Sequence, residues 1–110
     1  MGAFDLATLE RSVIARAGAD PSQSWTARLA AAGLPKACEK LGEEAVETIV
    51  AALAEDEDAF RGEVADLLYH LLVVMHLRGV TLAEILAVLE ARTARSGVAE
   101  KAARQKATDT

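Results

Sequence analysis

The chain has 110 residues and a formal net charge of −5, and 52% of its residues are hydrophobic while 26% are charged. This length predicts one domain, and the composition lies far from that of disordered chains. Two prolines and 4% aromatic residues favour helices over a β-sandwich or barrel. An acidic chain without a basic patch is poorly suited to the phosphate backbone of a nucleic acid. We therefore expect an all-α domain that has no nucleic-acid partner but could take a small anionic substrate.

The compartment can be inferred from the cysteine content and from the apolar segments. Cys38 is the only cysteine, so an internal disulfide is impossible, and Asp5 and Glu10 interrupt the region where a signal peptide would have its apolar core. The longest apolar stretch, residues 64–77, contains Asp66 and is shorter than the roughly 18 to 20 residues that a membrane span needs. We expect a cytoplasmic protein with no membrane partner.

Capping residues and glycines define the helices of the first half of the chain. Asp5 is suited to cap a first helix that Gly18 ends. Ser24 can cap a short second segment over residues 25–32. A long helix follows over residues 35–54, with a proline at its first position, where the missing N–H is tolerated.

Two further helices are predicted in the second half of the chain. An acidic turn at residues 55–58 precedes a helix over residues 59–78, because acidic side chains stabilise a helix N-terminus. Thr81 and Glu84 have the spacing of a capping box, which predicts a last helix over residues 82–95.

The domain organisation follows from these elements. We predict one all-α domain over residues 1–96, an antiparallel bundle of about four to five helices completed by homodimerisation. The remaining residues, 97–110, are polar and alanine-rich, and we expect this tail to be frayed unless a partner orders it.

Acidic residues on the two long helices carry the functional prediction; they are Glu43, Glu44, Glu47, Glu63 and Asp66. Glu44 and Glu47 lie three residues apart, as do Glu63 and Asp66, and this spacing places each pair on one helix face. Helices packed about 8 to 10 Å apart would let the two pairs meet. The alternative is that these are ordinary solvated faces, since surface glutamates are common.

Hydrophobic patterning argues against solvated faces. The stripe of helix 35–54 that carries the acids continues as Val50, Ala51 and Ala54, and the helix over residues 59–78 is apolar almost all round. A carboxylate such as Asp66, buried in that helix, would need a partner or a metal ion. Gly42 destabilises the interior of its helix relative to alanine, and close approach by another helix would explain why a glycine occurs there.

Mutual repulsion of the carboxylates suggests a cation. Two carboxylates about 5 Å apart repel by about 3 kcal/mol at an effective dielectric constant of about 20, and a divalent ion would relieve this repulsion. Oxygen ligands without a histidine and cysteine cluster favour Mg²⁺, with Mn²⁺ possible, over zinc. Because Mg²⁺ commonly takes phosphates as further ligands, Lys36 and Lys40 beside such a site suggest a phosphoanhydride substrate and metal-assisted hydrolysis.

Three segments resemble a known family: SWTARL at residues 24–29, KLGEEAVET at residues 40–48 and EVADLLYHLLV at residues 63–73. They are similar to the phosphoribosyl-ATP pyrophosphohydrolases of histidine biosynthesis, and the similarity extends from residue 4 to about residue 104. The E-x-x-E…E-x-x-D signature itself is shared with the wider MazG-like all-α nucleoside triphosphate pyrophosphohydrolases, so the flanking segments carry the narrower resemblance. Trp25 departs from the family, in which a tyrosine is more usual.

The resemblance implies Mg²⁺-dependent hydrolysis of the α-β phosphoanhydride of phosphoribosyl-ATP by a homodimer, giving phosphoribosyl-AMP and pyrophosphate. We assign the metal ligands to the signature, namely Glu44, Glu47, Glu63 and Asp66. Glu47 is also assigned a catalytic role, and Glu43 is either a fifth ligand or the group that orients the attacking water.

Further residues are assigned to substrate binding: Lys36, Lys40, Ser24, Thr26 and Arg28. The lysines would meet phosphates, and the alternative is that they form salt bridges with neighbouring glutamates. The segment from Ser24 to Arg28 could offer hydrogen-bond donors to a phosphate. Its alternative roles are a plain N-cap for Ser24 and a core position for Trp25. His70 is expected to be a buried structural histidine rather than a hydrogen-bond partner of the Asp66 carboxylate.

Two other functions remain compatible with the sequence. A related enzyme could hydrolyse other nucleoside triphosphates, including non-standard deoxynucleotides. A non-catalytic helical dimerisation module would carry the same acids as solvated groups and bind no metal. A di-iron bundle is excluded because it needs Glu-x-x-His motifs, which this sequence does not contain.

Overall fold

The computed structural model describes residues 2–94 and 97–109, and within them the chain forms six α-helices and no strand. The helices are α1 (Leu6–Ala17), α2 (Trp25–Ala32), α3 (Leu34–Ala54), α4 (Glu57–Arg78), α5 (Leu82–Thr93) and α6 (Gly97–Asp109). The predicted all-α fold is confirmed. The helix count exceeds the predicted four to five because residues 97–109 are helical as well.

The helix starts follow the predicted caps. Asp5, Ser24, Asp56 and Thr81 each accept, through the side chain, a hydrogen bond from the backbone N–H three residues further on. At the other end of α4, Gly79 adopts a left-handed conformation with φ of 76°, which glycine tolerates best. The starts of α3 and α4 lie one and two residues earlier than predicted.

The part of the chain up to Val80 is one compact unit that contains α1 to α4. Its main interface joins α3 and α4, which the two-residue connection at residues 55–56 makes antiparallel neighbours. Helices α1 and α2 pack beside them and complete a small buried core. The core residues are Val13, Leu29, Ala37, Leu72 and Val73.

Helix α4 is less buried than the sequence suggested. Leu68 and Leu71 are 36% and 40% exposed, and Asp66 is exposed as well, so the expectation of a helix buried nearly all round is wrong for the single chain. The reason is that α1, α2 and α3 together cover only part of its circumference. Apolar side chains of α3 are also exposed, and we call this group the α3 apolar face: Val46, Ile49, Val50 and Leu53.

The part of the chain from Thr81 is a second compact unit, containing α5 and α6. The helical structure of residues 97–109 differs from the frayed tail that we expected. Its alanine, lysine, arginine and glutamine residues have high helix propensity, which accounts for the difference. The assignment of residues 1–96 to one domain with a tail over 97–110 remains a prediction.

Membrane spanning was tested on the described helices. None of them is both long and apolar enough to cross a membrane alone, and α4 and α5 meet that requirement of length and composition only when they are taken together. The cytoplasmic location remains a prediction.

Candidate active site

Three carboxylates from α3 and α4 converge at the centre of the helix pair. Glu44, Glu63 and Asp66 each offer one oxygen, and these oxygens all lie within 4.8 Å of one another. Glu44 and Glu63 are partly buried, whereas Asp66 is exposed. The structure therefore brings together three of the four residues that we assigned as metal ligands, and we call them the carboxylate triad.

The fourth assigned ligand, Glu47, lies at the exposed edge of the triad. Its carboxyl group is a hydrogen-bond partner of Glu63 and also interacts with Glu44. Burial, followed by this hydrogen bond and the neighbouring negative charges, raises the pKa of Glu63 from 4.5 to about 7. Burial and the charges of Glu47 and Asp66 likewise raise the pKa of Glu44. Four carboxyl groups thus share one crowded site.

Two oxygens of the triad have no hydrogen-bond partner. They are Oε2 of Glu44 and Oε2 of Glu63, and both are buried among the residues that the structure describes. A buried carboxylate oxygen without a donor is costly, and a cation would remove that cost. An all-oxygen donor set with a high negative charge suits a hard divalent ion such as Mg²⁺ or Mn²⁺. The residues present therefore fit such an ion.

Thr48 fixes the position of the triad, a role that the sequence reasoning missed. Its hydroxyl lies 2.7 Å from the backbone carbonyl oxygen of Glu44 and 3.1 Å from that of Glu63. The first contact is the ordinary bond of a helical threonine to the carbonyl four residues earlier, which the spacing could have shown. The second, longer contact reaches from α3 to α4 beside the triad and shares the single hydroxyl hydrogen with the first, and no local sequence pattern predicts it.

His70 is buried close to the triad. Its Nδ1 lies 2.7 Å from the backbone carbonyl oxygen of Asp66, and since a carbonyl only accepts, Nδ1 carries the hydrogen. Nε2 is buried without a hydrogen-bond partner in the described part of the chain. The ring offsets part of the rise in the pKa of Glu44 that burial and the neighbouring carboxylates cause. His70 is therefore buried, as expected, and its ring contacts the backbone carbonyl of Asp66 and not the Asp66 carboxylate.

The lysines and Glu43 form ion pairs on the same helix. Lys40 Nζ lies 3.0 Å from Glu43 Oε2, and Lys36 Nζ lies 3.5 Å from an oxygen of Glu39. The hydrogen bond to Glu43 is the main cause of a raised Lys40 pKa, and Glu44 adds to it. Both lysines thus form ion pairs within α3, and Glu43 lies outside the triad. Phosphate binding by the lysines stays a prediction.

The segment from Ser24 to Arg28 is occupied by internal hydrogen bonds. The Ser24 hydroxyl caps α2, and the Thr26 hydroxyl, on a residue only 3% exposed, bonds to the Tyr69 hydroxyl. Arg28 Nε donates to the backbone carbonyl of Pro21 at 2.8 Å. None of the three assigned donors lies in the triad. Outside this network, the expectation that Trp25 lies in the core is wrong, because its side chain is 52% exposed.

An all-α chain with paired carboxylates on two antiparallel helices is typical of the helical nucleoside triphosphate pyrophosphohydrolases. Within that class, the profile of the phosphoribosyl-ATP pyrophosphohydrolase family matches residues 6–93. The chain belongs to this family.

Curated relatives agree with the family match. The chain is 56% identical to the phosphoribosyl-ATP pyrophosphatase of Agrobacterium fabrum (strain C58) over 104 residues, 94% of this chain and 97% of the relative. It is 57% identical to the enzyme of the same name from Cereibacter sphaeroides (strain ATCC 17029) over 99 residues, 90% and 96% of the two chains. It is 54% identical to the phosphoribosyl-ATP pyrophosphatase of Rhizobium etli (strain CIAT 652) over 105 residues, 96% and 98% of the two chains.

Proposed function

We propose that this protein hydrolyses the α-β phosphoanhydride of phosphoribosyl-ATP, releasing pyrophosphate and phosphoribosyl-AMP in histidine biosynthesis. The observation that carries the proposal is the carboxylate triad within a chain of this family. A helical dimerisation module would have no need for two buried carboxylate oxygens that lack donors.

The proposed metal ligands are the triad and Glu47. When bound, Mg²⁺ or Mn²⁺ would neutralise the polyphosphate and polarise its phosphoryl oxygens. The protein helps to position the ligands, because Thr48 of α3 contacts the backbone of Glu63 on α4 beside them. It also supplies partly buried surroundings, in which electrostatic interactions are stronger than in water.

Glu43 and Glu47 are proposed to act on the attacking water. Both side chains are exposed on α3, next to Glu44 in sequence or one turn from it, so solvent reaches them while Glu44 and Glu63 remain partly buried. A carboxylate at this edge can accept a hydrogen bond from water and orient it towards the phosphorus atom. Glu43 pairs with Lys40 at 3.0 Å in a partly exposed ion pair.

Lys40 and Lys36 are proposed to meet the phosphates of the substrate. Their ion pairs lie within one helix and are partly exposed, and such pairs contribute little to stability. Lys40 can therefore exchange Glu43 for a phosphate oxygen at small cost. For Ser24, Thr26 and Arg28, whose side chains are engaged internally, we propose an indirect role in shaping the substrate site.

We also propose that the protein is a homodimer. The α3 apolar face leaves Ile49 60% and Leu53 85% exposed, together with Leu68 and Leu71 on α4. A second copy of the chain would remove this apolar surface from water. Sedimentation at micromolar concentration tests this proposal, and Leu53→Glu should weaken the dimer.

The function is tested by pyrophosphate release from phosphoribosyl-ATP, with ATP and a deoxynucleoside triphosphate as controls, each with Mg²⁺ and with EDTA. We expect release from phosphoribosyl-ATP only when Mg²⁺ is present. Equal release from all three substrates would favour the broader nucleotide pyrophosphohydrolase, and no release from any of them would favour the non-catalytic module. Full turnover in EDTA would contradict the metal assignment.

A further inference from the structure

An open cleft of about 510 Å³ lies between the end of α1, the start of α2 and the middle of α4. Its lining includes the polar side chains of Arg16 and Gln23 and the aromatic side chains of Trp25 and Tyr69. This volume falls within the range of small-molecule sites. A cationic group beside two aromatic rings is a composition suited to a nucleotide.

The two side chains at the mouth of the cleft are available to a ligand. Arg16 is exposed and has no ion-pair partner among the described residues. Trp25 is 52% exposed, although it is the largest apolar side chain in the sequence. The packing of the described chain thus leaves both side chains exposed.

The walls of the cleft are preformed. Asp20 holds the turn after α1, where its carboxylate accepts from Ser22 N–H and its backbone carbonyl accepts from Ser24 N–H. The bond from Arg28 to Pro21 fixes the same turn against α2. Tyr69 is tied to α2 through the Thr26 hydroxyl. The turn and the Tyr69 wall would therefore need little ordering on binding, whereas the exposed side chains of Arg16 and Trp25 would be ordered by the ligand.

The cleft lies next to the carboxylate triad along α4. Tyr69 follows Asp66 by three residues, and side chains with this spacing are neighbours on a helix surface, about 5 to 6 Å apart at Cβ. A molecule bound at the triad through its triphosphate could extend directly into the cleft. Phosphoribosyl-ATP has such an extension, since it carries a purine joined to a second ribose with its own phosphate.

We propose that this cleft binds the phosphoribosyl-adenine end of the substrate, with Arg16 paired to the phosphate of the phosphoribosyl group and Trp25 stacked on the purine. The proposal rests on the proposed function and adds the basis of substrate choice. ATP has the purine but lacks the phosphoribosyl phosphate, so only phosphoribosyl-ATP would use both Trp25 and Arg16. Because Arg16 is exposed, water solvates it when this phosphate is absent, so the preference for phosphoribosyl-ATP equals the gain from one charge-assisted contact.

The test measures the dissociation constants of phosphoribosyl-AMP and AMP by calorimetry in the presence of Mg²⁺. The wild-type protein should bind phosphoribosyl-AMP at least about tenfold more tightly, the contribution of one charge-assisted contact. Arg16→Gln should remove this preference and leave AMP binding unchanged, and Arg16→Lys should restore part of it. Trp25→Ala should weaken both ligands by about five- to tenfold, because both contain the stacked base.

Arg11→Gln is the matched control, since Arg11 lies on the same helix, bonds to Thr8 and does not line the cleft. Equal binding of the two ligands to the wild-type protein, or an unchanged preference in Arg16→Gln, would overturn the proposal. Pyrophosphate release by the wild-type protein is measured separately, so loss of the proposed function and loss of this cleft assignment are distinguished.

Discussion

The hydroxyl of Thr48 on α3 lies 3.1 Å from the backbone carbonyl oxygen of Glu63 on α4. The same hydroxyl lies 2.7 Å from the carbonyl oxygen of Glu44. One side chain thus contacts the backbone of two triad residues on different helices. Because the triad oxygens must stay within a few ångströms to share a cation, the relative position of α3 and α4 at this point is part of the site.

We predict that Thr48→Val weakens Mg²⁺ binding about tenfold, because valine keeps the shape of threonine but removes the hydroxyl that joins the two backbones. The metal-free protein should lose only about 1 kcal/mol of unfolding free energy. Calorimetric titration with Mg²⁺ measures the first quantity, and urea unfolding in EDTA measures the second.

Thr48→Ser is the matched variant, since it retains the hydroxyl and loses a methyl group. It should keep most of the Mg²⁺ affinity of the wild-type protein. If Thr48→Ser and Thr48→Val lost affinity equally, packing of the methyl group would explain the effect and the positioning role of the hydroxyl would be wrong.

The raised pKa of Glu63 predicts how metal-free stability depends on pH. The pKa is about 7 in the folded protein and 4.5 ordinarily, so between these values the folded state binds more protons than the unfolded state. The unfolding free energy of the metal-free protein should therefore fall as pH rises through this window. The lowered pKa values of Asp5 and Asp20 act with the opposite sign at more acidic pH, outside the window.

Urea unfolding in EDTA at constant ionic strength measures this slope. The measurements run from about pH 5 to about pH 8 and so cover most of the window of roughly 4.5 to 7. Glu63→Gln should reduce the slope to the part that Glu44, whose pKa is also raised, still contributes, and Glu55→Gln, at the exposed C-cap of α3, should leave it unchanged. Mg²⁺ affinity should rise with pH over the same range, because the cation competes with the proton. A slope identical in both variants would remove Glu63 as its origin.

Substituting Gly42 by alanine tests whether another helix or chain packs closely against α3 at this position. A methyl group added there would meet no atom within 4 Å, so the close helix approach that we expected at this glycine is absent from the described part of the chain. The same holds for Gly62 in α4. Alanine is a better helix former than glycine, and each substitution should add about 0.5 to 1 kcal/mol to the unfolding free energy. Thermal unfolding of Gly42→Ala and Gly62→Ala measures this gain.

The two glycine variants are compared with each other. Gly62→Ala should gain stability without a change in pyrophosphate release, and we expect the same of Gly42→Ala. A loss of stability confined to Gly42→Ala would show that a second chain approaches this position. A loss of activity alone would show that the substrate does.

The sequence predicted those parts of the structure that depend on local chemistry. The caps at Asp5, Ser24 and Thr81 follow from short-range hydrogen bonds, and the meeting of the carboxylates follows from helical spacing. Contacts between residues far apart in sequence were not accessible in this way. The bond from Thr48 to the Glu63 backbone depends on the relative position of two helices, which no local pattern encodes.

Burial was also predicted poorly where it depends on neighbouring helices. The apolar sequence of α4 suggested burial on every side, yet Asp66 is exposed in the single chain. A core position was the alternative role for Trp25, and its side chain is instead half exposed and lines a cleft. Hydrophobic composition shows that surface must be covered, but it does not say whether the same chain, a second chain or a substrate covers it.

Asp66→Asn should separate stability from function. Asp66 is the exposed member of the triad, and its charge raises the pKa of Glu44 and of Glu63, so in the metal-free protein it acts chiefly by repulsion. Asparagine keeps the shape and removes the charge. The melting temperature in EDTA should therefore stay the same or rise slightly, because the lost repulsion is unfavourable to the folded state.

Pyrophosphate release by Asp66→Asn should nevertheless fall at least about a hundredfold, because a neutral amide is a poor ligand for Mg²⁺ and the phosphoanhydride loses part of its charge stabilisation. Mg²⁺ should raise the melting temperature of the wild-type protein, since it binds the folded state, and this increase should be smaller in Asp66→Asn. Asp58→Asn is the control, since it makes the same substitution on α4 at an exposed residue that pairs with Arg61 outside the triad. Full activity of Asp66→Asn, or its unfolding in EDTA under conditions where Asp58→Asn is folded, would mean that Asp66 has a structural role and that the metal site is wrongly assigned.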